Sequence, residues 1–117
     1  MIYLASPYTH PDPLIVEKRY EQTLHATAIL MRADIMVYSP IVHCHEVAKQ
    51  HQLPTDYKFW LVYNHHFILL SEAVYILCID GWRESLGVRN EIAFASANRI
   101  KIVCVDEFAV ITPNELF

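Results

Sequence analysis

Apolar and polar positions fall in short alternating blocks along the 117-residue chain. The apolar opening Met1-Ile2-Tyr3-Leu4-Ala5 has strand length and is followed by the proline-containing loop Ser6–Pro13. From about Leu14 to Arg32 apolar residues recur with helical spacing, which puts Tyr20, Leu24, Thr27 or Ala28, and Met31 on one face. Ile35–Tyr38 is a second short apolar run, stopped by Ser39-Pro40. The pattern then predicts a short helix from Val42 to Gln50 and a turn at Leu53-Pro54-Thr55-Asp56, with Thr55 or Asp56 as the cap of the next helix. That helix runs from Tyr57 to about Ser71 and carries Trp60, Asn64, Phe67 and Leu70. Val74–Ile79 reads as a third strand. A glycine-containing loop leads into a helix from about Ser85 to Asn98, and Ile100–Val105 is a fourth strand before a short tail.

Strands alternating with helices favour a parallel sheet covered on both faces. The expected fold is therefore α/β: a three-layer sandwich with about four to five strands, Rossmann- or flavodoxin-like, in a single domain over residues 1–117. No repeat, linker or low-complexity segment interrupts it. In such open sheets ligands bind beyond the carboxyl ends of the strands. Three loops leave those ends: Ala5–Tyr8, Ser39–His45 and Asp80–Gly87.

Composition narrows the function classes. Hydrophobic residues make up 54%, enough for a packed core. No apolar run approaches the roughly 18 residues a membrane span needs, and the opening lacks the basic start of a signal peptide, so no membrane partner is expected. A net charge of -4 argues against binding a nucleic acid polymer, though not against a nucleotide in a pocket. Of the three cysteines, Cys78 and Cys104 lie in strand-like runs; with Cys44 they read as small buried hydrophobes in a reducing, cytoplasmic setting.

Both glycines lie in the stretch Gly81-Trp82-Arg83-Glu84-Ser85-Leu86-Gly87-Val88, between the third strand and its helix. Ser85 suits an N-cap, and Leu86, Gly87 and Val88 would then offer backbone N–H groups to an anion. Glu91, four residues after Gly87, falls on the same helical face, so its carboxylate can point at whatever the helix start holds. The alternative is a plain cap and a solvated acid. Asp80 ends the third strand and could bind a ribose hydroxyl or serve as a loop acid. Trp82 could stack on a base or plug the loop, and Arg83 could contact phosphate or remain solvated. His43 and His45 follow the second strand and would face opposite ways if that strand continued; pocket hydrogen bonding suits them better than zinc, because no ligand spacing accompanies them. No metal and no cofactor are expected.

Several motifs together resemble a known family. Leu4-Ala5-Ser6-Pro7-Tyr8, Tyr38-Ser39-Pro40-Ile41-x-His43-x-His45, Leu53-Pro54-x-Asp56-x-x-Phe59-Trp60 and Gly81-Trp82-x-x-Ser85-x-Gly87-Val88 are similar to the DUF1937 family. Ser85-Leu86-Gly87-Val88-x-x-Glu91, with Ala93, Ala95 and Ala97 behind it, resembles the wider nucleoside 2-deoxyribosyltransferase superfamily, which also holds deoxynucleotide N-glycosidases. The resemblance implies that Glu91 is a nucleophile attacking the anomeric carbon, that Ser85 and Gly87 hold the 5′ end, and that Ala5, Ser6, Pro7 and Tyr8 contact base and sugar. Asn64 falls where the superfamily usually carries an aspartate that positions the sugar or assists base departure. An amide cannot hold that proton, whereas His65, one residue on, can.

The expected function is cleavage or transfer at the N-glycosidic bond of a (deoxy)nucleoside or nucleoside 5′-monophosphate through a glycosyl-enzyme intermediate. The alternatives are a catalytically inactive nucleotide-binding module and an interaction protein that keeps only the fold. The expected partner is a small-molecule nucleoside or nucleotide. The helix from Tyr57 is apolar nearly all round, which implies a homodimer or homotetramer.

Overall fold

The computed structural model describes residues 1–54 and 56–112. Four strands and four helices alternate: β1 Ile2–Ala5, α1 Pro13–Arg32, β2 Val37–Tyr38, α2 Pro40–His51, α3 Tyr57–Leu69, β3 Ala73–Leu77, α4 Leu86–Ala97 and β4 Lys101–Val105. All strand pairs are parallel, in the order β2-β1-β3-β4. The chain is thus an α/β protein with a four-stranded parallel sheet in a three-layer, flavodoxin-like arrangement. No helix among the described residues is long and apolar enough to cross a membrane.

β1 is buried along its whole length because it is central and covered on both faces. Its side chains alternate between two cores. Tyr3 and Ala5 pack with Val74, Ile76, Ile68, Val88 and Ala95 on the side of α3 and α4. Leu4 packs with Leu77, Val105, Ala26 and Leu30 on the side of α1.

The helices begin where capping chemistry permits. Asp12 accepts from Leu14 N–H at 2.9 Å, and Pro13 occupies the first turn, where its missing N–H costs nothing. Ser39 does the same for Val42 at 3.2 Å, so α2 begins at Pro40, earlier than the spacing predicts. Asp56 is the N-cap of α3 but makes no side-chain cap bond; Thr55, the other expected cap, lies outside the described residues, as does the tail beyond Thr112.

Two expectations are corrected. The buried stripe of α1 is Thr23, Ala26, Thr27 and Leu30, whereas Leu24 and Met31 are 44% and 57% exposed. Counting large apolar residues selected the wrong face. The helix lies close to the sheet on small side chains, and its threonine hydroxyls bond back to Arg19 O and Thr23 O one turn earlier. Cys78 and Cys104 are not free hydrophobes but a disulfide. The β3–β4 register pairs Ile76 with Cys104, so Cys78, two residues on and on the same face, sits diagonally across from it. Their pairing removes the cysteine argument for a reducing compartment. Cys44 remains a free thiol.

Candidate functional site

A cavity of about 460 Å³ opens beyond the carboxyl ends of the strands. Ser6 and Tyr8 enter it from the loop after β1, Pro40, Ile41, Cys44 and His45 from α2, and Ser85, Gly87 and Glu91 from α4. α3 closes another side with Lys58, Trp60 and Asn64.

Glu91 is on the inner stripe of α4 with Val88 and Ala95 and is only 7% exposed. Burial pushes its carboxyl up to about pKa 7, and a hydrogen bond donated by the Tyr3 hydroxyl to Oε2 works in the opposite direction. Tyr3 is held by its place in the central strand, and its ring lies 6.0 Å from that of Tyr38. Its own hydroxyl is pushed well above the ordinary tyrosine range, by burial first and by the Glu91 charge second. The pair is therefore a phenol that stays protonated and a carboxyl that titrates near neutrality.

Six residues before Glu91, Ser85 caps α4 by accepting from Val88 N–H at 3.2 Å. That bond uses one of the three amides expected to face a ligand, so Val88 is removed from the anion site and Leu86 and Gly87 remain at the cavity wall. The helix start favours an anion, Glu84 lies beside it in the same wall, and Asp56 and Lys58 line the cavity from the α3 side.

His45 is 4% exposed and stacked on Tyr20 at 3.8 Å between centroids. Its Nδ1 lies 2.7 Å from the Tyr8 hydroxyl. Asn64 reaches the cavity too, and its Oδ1 is buried without a hydrogen-bond partner.

The remaining predicted site residues lie elsewhere. Ala5 and Pro7 are buried but do not line the cavity. His43 is exposed and packs near the rings of Tyr38 and Tyr63; because α2 begins at Pro40, it sits on a helix rather than a strand continuation. His65 faces α4 instead of the cavity, with Nε2 at 2.7 Å from Asn90 Oδ1 and its ring stacked on Phe94. Asp80 is exposed and outside the wall. Trp82 packs against the core cluster on the α3 and α4 side of the sheet, the Arg83 guanidinium sits 4.7 Å over its ring, and neither lines the cavity. Gly81 has φ +90, and an added Cβ would fall 2.2 Å from Arg19 Nη2: this glycine makes room for a guanidinium rather than for a ligand.

Sequence reasoning missed Thr9, Cys44, Asp56, Lys58 and Trp60 as wall residues. The first turn of α3 reaches the site through packing against α4, which no local motif announces. Among the described residues no group of three or more His, Cys, Asp or Glu could hold a metal ion.

Residues 1–107 match the family described as "Domain of unknown function (DUF1937)", and the chain belongs to that family. No curated protein matches it.

Proposed function

We propose that this member of the DUF1937 family cleaves or transfers at the N-glycosidic bond of a (deoxy)nucleoside or nucleoside 5′-monophosphate, with Glu91 as nucleophile. One observation carries the proposal. A buried carboxyl in a cavity wall, held by Tyr3, stands one turn from the amides of Leu86 and Gly87 at the start of the same helix.

The chemistry follows from those parts. The 5′ end of the substrate lies on the start of α4, where backbone amides and the helix dipole favour an anion. This leaves the anomeric carbon facing Glu91. In its ionised form the carboxylate attacks that carbon as the bond to the base breaks, and a glycosyl ester forms. Water or a second base then attacks the ester and releases Glu91. The Tyr3 hydrogen bond orients the carboxylate and favours its charged form. The experiment is base release from a panel of nucleosides and nucleotides by the wild type and by Glu91→Gln. Release by the wild type and none by the variant supports the proposal; equal release by both sinks it. Competition by inorganic phosphate would favour a 5′-monophosphate over a free nucleoside.

A nucleotide-binding module without turnover is the second reading. Asn64 motivates it, because its side chain cannot supply the proton an ordinary leaving base needs. Binding by calorimetry with no base release over hours would select it.

The proposal also takes the chain as a homodimer or homotetramer joined through α3, whose Phe59, Val62 and Leu69, with the C-cap Leu70, are exposed. Nucleotides of this kind are intracellular metabolites, so the proposed setting is cytoplasmic; the Cys78–Cys104 disulfide is the feature that weighs against it. Thiol titration of the protein freshly taken from cells tests that setting.

A further inference from the structure

Cleaving the bond to an ordinary base requires a proton for the departing nitrogen or its conjugated oxygen. Neither expected donor fits: Asn64 is an amide, and His65 is turned toward Asn90 and Phe94. The cavity wall holds another group that can provide one. His45 is buried between the rings of Tyr8 and Tyr20. Nδ1 is 2.7 Å from the Tyr8 hydroxyl. Nε2 is 3.3 Å from Glu17 Oε1 on α1, in ion-pair range though without hydrogen-bond geometry.

We propose that Glu17, His45 and Tyr8 form a proton relay into the cavity, with Tyr8 delivering the proton that the leaving base takes up; this rests on the glycosidic reading above.

The direction of the Tyr8–His45 bond is what makes the relay work. In this scheme the ring carries a proton on Nε2, the nitrogen that faces the Glu17 carboxylate. When the ring is neutral, Nδ1 can only accept, so the Tyr8 hydrogen points at His45 and away from the cavity. When the ring is protonated, Nδ1 donates to the Tyr8 oxygen, and the phenolic hydrogen is free to point at a bound base. As the bond from the anomeric carbon to the base breaks, its electron pair goes to the base and a new bond forms to a Glu91 oxygen. The base takes the Tyr8 hydrogen, and Tyr8 takes the Nδ1 proton, leaving a neutral ring. In the second step an incoming water gives its proton back along the same path. No oxidant, metal or further reactant enters.

The surroundings favour that sequence. Burial, and next the charge of Glu17, push the Tyr8 hydroxyl upward, so it serves as a carrier and not as a standing phenolate. The other groups facing this cluster are Tyr20 on α1 and Cys44, Glu46 and Lys49 on α2. Lys49 Nζ lies 3.5 Å from Glu17 Oε1 and shares that carboxylate with His45. Tyr8 touches the base in this scheme and is the catalytic residue; His45 and Glu17 act through it.

The test uses matched nucleotides that differ only in whether the base needs a proton. One pair is 2′-deoxyguanosine 5′-monophosphate and its 7-methyl derivative, whose base leaves as a neutral molecule. The other is 2′-deoxyuridine 5′-monophosphate and its 5-nitro derivative, whose base leaves as a stable anion. Tyr8→Phe and His45→Gln should slow release from the parent nucleotide about a hundredfold or more, while the activated partner slows less than about threefold. Glu17→Gln, a substitution at a half-exposed site that leaves the core intact, should show the same selectivity with a smaller loss. The wild-type profile should fall at alkaline pH for the parent and not for the activated partner. Glu91→Gln should lose both. Equal losses on both members in the Tyr8 and His45 variants would overturn the relay and leave Glu91 standing. So would a wild type that releases only activated bases. Release from no member of either pair would overturn the relay together with the glycosidic reading.

Discussion

The hydroxyl of Tyr3, on the central strand, donates to Oε2 of Glu91, on the helix that follows β3. The two residues are 88 positions apart in sequence. The bond lowers a carboxyl pKa that burial alone would raise further. Tyr3→Phe should therefore move the acid limb of the kcat/KM profile upward from about pH 7. A displacement of one unit would cut the ionised fraction at pH 7 from about one half to about one tenth, a loss of roughly fivefold in rate. A profile that stays in place would show that Tyr3 does not set the state of Glu91.

The same carboxyl has a consequence for stability. Its folded-state pKa, about 7, lies above the ordinary 4.5. Between those values the folded chain binds a proton that the unfolded chain has released, so this group's contribution falls as pH rises from about 4.5 and is fully lost above about 7. The whole effect is on the order of 3 kcal/mol. Glu91→Gln should accordingly melt higher than the wild type at pH 8 and lose that advantage at pH 4, as followed by thermal unfolding across pH. A pH-independent difference would count against a buried ionisable acid.

Ser85 caps α4 and lines the cavity, so one substitution probes both the helix and the proposed anion site. Ser85→Ala removes the bond to Val88 N–H and should cost about 1 kcal/mol of stability by denaturant titration. It should also weaken competition by inorganic phosphate, because the first turn of α4 loses the contact that holds it in place. Unchanged phosphate competition would separate the cap from the anion site.

Val62 is 80% exposed on α3, beside the exposed Phe59. If α3 joins subunits, Val62→Glu should yield monomers in sedimentation velocity at micromolar concentration, with the melting temperature falling because subunit association no longer stabilises the fold. A wild type that already sediments as a monomer would remove the proposed interface.

Gly81 holds a backbone conformation that side chains disfavour, and Arg19 fills the space a methyl group would take. Gly81→Ala should destabilise by about 1 kcal/mol or more, with the Arg19 guanidinium displaced from its place near Thr9 O. A neutral substitution in the melting assay would show that the loop adapts freely.

The local pattern was enough to establish the order of elements, the parallel sheet and the cap at Ser85, because strand length, helical spacing and capping chemistry act between near neighbours. It also placed Glu91 on the inner face of its helix, since four residues return the chain to the same side. What the sequence left open depends on which distant surfaces meet. Tyr3 reaches Glu91 across the sheet, Lys58 and Trp60 join the cavity through the seating of α3, and Glu17 meets His45 because α1 packs on α2. The small-residue stripe of α1 and the Cys78–Cys104 pair are hidden from the local pattern for the same reason. Close approach and strand register are properties of the folded chain, and periodicity carries no record of them.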